Sequence, residues 1–151
     1  MPIVAFSDRS ALAEQDRPTI GVYSMGSVNG SDRQFSQFQF DVNKLRDPCG
    51  QKQFYGMTGR NVEVQTWLTV DDRVAAITRE CLLLADDLVK PKPREDGTRT
   101  EVRPASTWLS FAFKDFHGKW IAPAMAEIVA HALSDAGYTV ALFHRELKDL
   151  K

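Results

Sequence analysis

The sequence predicts a single α/β domain built on a mostly parallel, four-stranded sheet flanked by helices. Three observations point to it. Trp108, Leu109, Phe111, Ala112 and Phe113 form an apolar run broken only by Ser110, the pattern of a strand covered on both faces. After a turn at 114–119, Ile121, Met125, Ile128, Val129, Ala132 and Leu133 recur at helical spacing and give one apolar face. A second nearly all-apolar run, Thr139 to Phe143, follows that helix, and the resulting order of strand, strand, helix, strand, helix, strand argues for a mostly parallel sheet.

The remaining elements follow in order. Residues 1–18 are small, polar and charged, and read as a flexible N-terminal arm with a short helical turn at 10–15; the domain proper is 19–151. The first strand covers 19–25, and Gly26, Asn29 and Gly30 turn the chain. In the second, 35–42, Phe38, Phe40 and Val42 alternate with Gln37, Gln39 and Asp41, which suits a sheet edge with one wet face. Residues 43–60 have no period and read as a long ordered loop, with Lys44, Arg46, Lys52 and Arg60 set against Asp47 alone. A short helix over 62–68 carries Trp67. Thr69 or Asp71 can cap a longer helix over 71–89, whose stripe is Val74, Ile77, Cys81, Leu84, Ala85 and Leu88. Residues 90–105 are a solvated connection rich in proline and charge. Pro123 fits the start of the last helix, Gly137 ends it, the last strand is 138–144, and a charged tail frays from 145.

Composition narrows the function classes. The 151 residues suffice for one substantial core, and 43% hydrophobic with 26% charged residues is ordinary for a globular domain. A net charge of −1 gives no global attraction to nucleic acid or to a membrane, so any anion must be met by a local patch. No apolar run spans a bilayer, and the N-terminus does not look like a signal peptide. Cys49 and Cys81 lack metal-ligand spacing and suit a reducing cytoplasm. There is no nucleophile elbow, no metal-ligand set, no Walker-type loop and no Cys–His pair of known spacing, so no catalytic or cofactor constellation is expected.

Candidate binding residues cluster where strands hand over to helices. A helix N-terminus attracts anions because its first N–H groups point outward, which draws attention to Lys114, His117, Gly118 and Lys119. The plain alternative is a solvated turn, with Asp115 capping the helix. His144 and Arg145 end the last strand, at the edge where α/β ligands bind, and Arg145 could hold a phosphate bidentately. Asp41 could orient Arg46 or a ligand hydroxyl, or close a turn. Lys44, Arg46, Lys52 and Arg60, near Phe54 and Tyr55, have the cation–aromatic mix that suits single-stranded RNA. Phe116 and Trp120 could meet an aromatic ligand or a protein.

Several stretches together resemble the C-terminal domain of RapZ, the bacterial RNase adapter protein. Phe40-Asp41-Val42, Leu45, Asp47-Pro48 and Met57-Thr58-Gly59 are similar to its "FDVR-LPNP…MTG" segment. Trp108 to Glu127 resembles its strand, anion-binding loop and helix containing "AE". Gly137-Tyr138 through Val140 to His144-Arg145 resembles its closing "RG–V–HR", and Tyr23-Ser24-Met25-Gly26 stands where the family has "SFG". The likeness covers residues 19 to 148. It implies an α/β domain that binds a small regulatory RNA and glucosamine-6-phosphate, assembles into oligomers and contacts an endoribonuclease. The loop departs from the family's "GCTGG[RK]HRS": of residues 114–122 only Gly118 and Lys119 match.

The leading expectation is therefore a non-catalytic binding or adapter module for a phosphorylated small molecule or RNA. The rival is a repurposed interaction domain, of the kind a phage could encode, that presents Phe116 and Trp120 to a host or partner protein. An enzyme using His117 or His144 as acid–base on a phosphorylated or nucleotide substrate is the weaker third.

Overall fold

The computed structural model describes residues 3–5, 20–27, 37–48, 50–89 and 109–147. The four expected strands are β2 (Ile20–Gly26), β3 (Phe38–Asp41), β4 (Leu109–Asp115) and β5 (Val140–His144). A fifth, β1 (Ile3–Ala5), comes from the segment expected to be a free arm, and pairs parallel with β5. The sheet order is β1-β5-β2-β4-β3, with every pairing parallel. The expected features at 10–15, 29–32 and 90–105, together with Trp108 and Cys49, lie outside the described residues.

Among the described residues, three α-helices accompany the sheet. α1 (Val62–Leu68) matches its expected bounds, and α2 (Asp72–Leu88) begins after Asp71, whose side chain accepts the Arg73 N–H. α3 (Ile121–Asp135) carries Pro123 in its first turn, where no intrahelical N–H is needed, and is followed by Gly137 at φ +100°. α3 packs on β2, β4 and β5, while α1 and α2 pack on α3.

Side-chain alternation divides the strands between two layers. Ile20, Val22, Phe111, Phe113, Val140 and Leu142 join the main core with Met125, Val129 and Leu133 of α3. Tyr23, Met25, Ala112, Ala141 and Phe143 point the other way and form a second buried cluster. This is why the central strands read as unbroken apolar runs: both faces are covered. β3 lies at the edge, with Phe38 and Phe40 half-buried and Gln39 and Asp41 exposed, as its alternation predicts. Phe40 stacks on Phe113 at 5.3 Å. Burying a side chain such as Phe111 or Phe113 contributes about 1.5–3 kcal/mol each.

The turn after β5 departs from expectation. Instead of fraying at 145, it continues as a packed turn through Leu147, which is 2% exposed. Arg145 N–H donates to the Ser24 carbonyl at 3.0 Å, and Leu147 N–H to the His144 carbonyl at 3.3 Å.

Candidate functional site

Because the sheet is parallel, the C-terminal ends of β2, β3, β4 and β5 lie along one edge. Gly26 registers with Asp115, Asp41 with Lys114, and Ser24 with His144. Most of the candidate residues meet here.

The start of α3 does not present free donors. Asp115, buried at the end of β4, accepts the Ile121 and Ala122 N–H groups at 3.1 Å each and a short bond from Gly118 N–H. Pro123 has no N–H, and Ala124 N–H donates to the Trp120 carbonyl at 3.0 Å. The protein's own carboxylate thus occupies the place where a helix N-terminus would attract an anion. Burial pushes the Asp115 carboxyl above the ordinary carboxylate range, against the three N–H bonds and the His117 charge, which lower it.

Gly26 and Gly118 bring two loops into backbone contact. A Cβ on Gly118, at φ +74°, would lie 2.6 Å from Gly26 N and 2.5 Å from Glu146 Cγ. Glu146 Oε2 accepts Gly26 N–H at 3.0 Å and Arg145 Nε–H at 2.6 Å. Arg145 Nη2 donates to the Gly26 carbonyl at 2.7 Å. Arg145 is therefore engaged on both sides of Gly26.

On the helix-covered face, Ser24 and His144 are side-by-side neighbours on paired strands. Ser24 Oγ lies 2.6 Å from His144 Nδ1, and His144 Nε2 lies 3.0 Å from Glu127 Oε1 of α3. His131, one turn along α3, stands 3.7 Å from Glu127 Oε2, and Arg60 Nε is 4.0 Å from Glu127 Oε1. This is a Ser–His–Glu line, but Ser24 is 0% exposed, so its hydroxyl cannot reach an external electrophile. The line ties β2 and β5 to α3.

The long basic loop is largely engaged with the protein. Arg46 lies over the Trp67 ring at 3.9 Å, its Nη1 donates to the Trp67 carbonyl at 3.3 Å, and its N–H donates to Asp71 at 3.2 Å. Asp41 closes a turn by accepting both Asn43 N–H at 3.0 Å and its side-chain amide at 2.8 Å; Asn43 Oδ1 in turn accepts Phe116 N–H at 2.9 Å. Trp120, half-buried, donates its indole N–H to the Met57 carbonyl at 3.0 Å. Gly59 N–H donates to the Lys119 carbonyl at 2.8 Å, with Gly59 packed so closely on α3 that a Cβ would lie 2.2 Å from Ala124 N. Lys44, Lys52 and Tyr55 are exposed, and Lys114 is half-buried on β4.

What faces solvent at this edge is a different set. Phe116 is 54% exposed, its ring 4.9 Å from that of His117, and His117 lies edge-on to Trp120 at 6.2 Å. Lys119 is exposed, and so is Arg60, the residue after Gly59, whose N–H donates to the Lys119 carbonyl; the Arg60 guanidinium stands 4.0 Å from Glu127. The sequence pointed to these residues but missed the roles of Ser24, Glu127 and Glu146. Once β2 and β5 are known to be neighbours, Ser24 and His144 follow from register, and Glu127–His131 has helical i,i+4 spacing. Glu146 bonds a residue 120 positions away and carries no local signal. No group of three or more His, Cys, Asp or Glu that could hold a metal occurs among the described residues.

The protein is an all-parallel α/β domain with aromatic and basic side chains exposed beyond its strand ends. The chain belongs to the RapZ C-terminal domain family, which it matches over residues 18–148. It is also similar to a nucleotide-binding protein of Cereibacter sphaeroides, 29% identical over 141 residues, or 93% of this chain and 42% of that protein. The chain thus spans less than half the length of that relative. No helix among the described residues is long and apolar enough to cross a membrane.

Proposed function

We propose that this chain is a non-catalytic binding module for a nucleotide unit, free or within a single-stranded RNA. The observation that carries this reading is the loop after β4. It leaves Phe116, His117 and Lys119 exposed, while Asp115 holds its backbone donors inside; the exposed Arg60 follows Gly59, whose N–H donates to the Lys119 carbonyl. A base would stack on Phe116 or His117, and Lys119 and Arg60 would meet the phosphate as side-chain cations rather than through a helix N-terminus. The Cereibacter relative's name, nucleotide-binding protein, agrees with such a ligand. Arg46, held on Trp67, is a structural residue in this reading.

The test is fluorescence anisotropy with a short labelled single-stranded RNA across a salt series. Binding is expected to weaken as salt rises, and the salt slope to fall by about one in each of Lys119→Ala and Arg60→Ala. Affinity insensitive to salt and to both substitutions would sink the proposal. The exposure of Phe116 also suits a protein partner. That reading gains only if no nucleotide or RNA binds; Phe116→Ala is then its probe, because Trp120→Ala would also remove the bond to Met57.

A further inference from the structure

The two outer sides of the sheet are protected differently. An open strand edge presents unpaired N–H and C=O groups on which another chain can pair; charged residues, proline, a bulge, shortness or a covering element blunt it. β3, on one side, is four residues long and exposes Gln39 and the charged Asp41. β5, on the other, has no such device of its own. Val140-Ala141-Leu142-Phe143 is buried, apolar and free of proline, and its register with β2 runs unbroken from Val140 to His144. Along its outer edge lies β1, which registers Ile3 with Val140, Val4 with Ala141 and Ala5 with Leu142. β1 is three residues long, so it offers little edge in its turn. It also precedes residues 18–148, so the cover comes from outside the stretch that matches the family.

We propose that β1 is an edge cover, and that a β5 edge from which it has been lifted pairs antiparallel with the β5 edge of a second copy. The second copy is the fitting occupant because an antiparallel strand pair is two-fold symmetric, so one edge is its own complement. Centred on Leu142, such a pair sets His144 opposite Val140 and brings no like charges face to face. β1 thus holds the chain out of an association that its own core strand favours. The inference concerns the side of the sheet opposite β3 and does not rest on nucleotide binding at Phe116.

The experiment is sedimentation velocity over a concentration series, on the wild type, a variant lacking residues 1–5, and Ile3→Pro and Val4→Pro made separately. The shortened chain, folded by circular dichroism, is expected to reach twice the wild-type mass as concentration rises. In that dimer the outward-pointing amides of 140–144 should stay protected from hydrogen exchange. A folded shortened chain that keeps the wild-type mass would overturn the proposal, and so would a dimer whose outward β5 amides exchange freely. If the shortened chain does not fold, the proline variants decide. Successive N–H groups of a strand point to opposite edges, so one of the two variants loses a bond to β5 and the other loses an N–H that faces away. More self-association in one than in the other is expected, and equal masses in the two refute the edge cover.

Discussion

Asp115 ends β4 with its carboxylate holding the N–H groups of residues 118, 121 and 122. Asp115→Ala leaves buried donors without an acceptor, and is expected to cost about 2–5 kcal/mol in urea unfolding. Asp115→Asn, which keeps one carboxyl-side oxygen, should cost less. The carboxyl is raised by burial, so the folded protein holds its proton to higher pH than the unfolded chain. Its ionisation therefore weakens the fold as pH rises through the interval above the ordinary value. Asp71 behaves oppositely. Its hydrogen bond to the Arg73 side chain lowers it from 3.8 to about 2, so its contribution is present above the ordinary value and is lost as pH falls toward 2. Asp71→Ala should cost about 0.5–2 kcal/mol at neutral pH as a lost helix cap, and less near pH 2. Unfolding curves at the two pH values check this, and an unchanged difference between variant and wild type would contradict it. Both caps were legible in the sequence because a capping side chain and its N–H lie within a few residues. The Ser24–His144–Glu127 line was not, because its members meet only through sheet order.

At the scale of elements, the edge is assembled by close backbone approach. Gly26, Gly59 and Gly118 each sit where a Cβ would come within 2.6 Å of a neighbouring backbone atom. Gly118→Ala combines that clash with φ +74° and should lower stability by about 2 kcal/mol or more, measured by thermal or urea unfolding. Gly137→Ala, at φ +100° but with open space around it, should cost only the backbone strain. A larger loss at 137 than at 118 would contradict this ranking. The helices were legible because their apolar stripes and caps are local patterns; α1 was placed end for end. β1 was not. Three residues are too few to show a period, and its place depends on backbone pairing with β5 at the far end of the chain.

Across the whole molecule, the two covered faces of the sheet leave the strand ends as the place for chemistry, and the fold class followed from the apolar runs and the amphipathic helix between two of them. Which residues face solvent at that edge did not. The sequence suggests Trp120, Arg46 and Asp41 for recognition as readily as Phe116 and Lys119, and only packing separates those that hold the structure from those displayed. Packing also makes Cys81 inert. Its thiol is buried and pushed up to about 12, so it should react with thiol reagents only on unfolding, as pulse labelling followed by mass analysis would report.

The central claim is that the ligand is met by side chains displayed on the loop after β4. The most direct test is the melting temperature of the wild type, Phe116→Ala and Lys119→Ala against nucleoside monophosphates, sugar phosphates and a short RNA. A ligand that binds only the folded state raises the melting temperature in a saturable way. The account predicts such a rise with nucleotides or RNA, larger than with sugar phosphates, and its loss in both variants, which melt close to wild type without ligand. No rise with any nucleotide or RNA, or a rise that both variants keep, would contradict it.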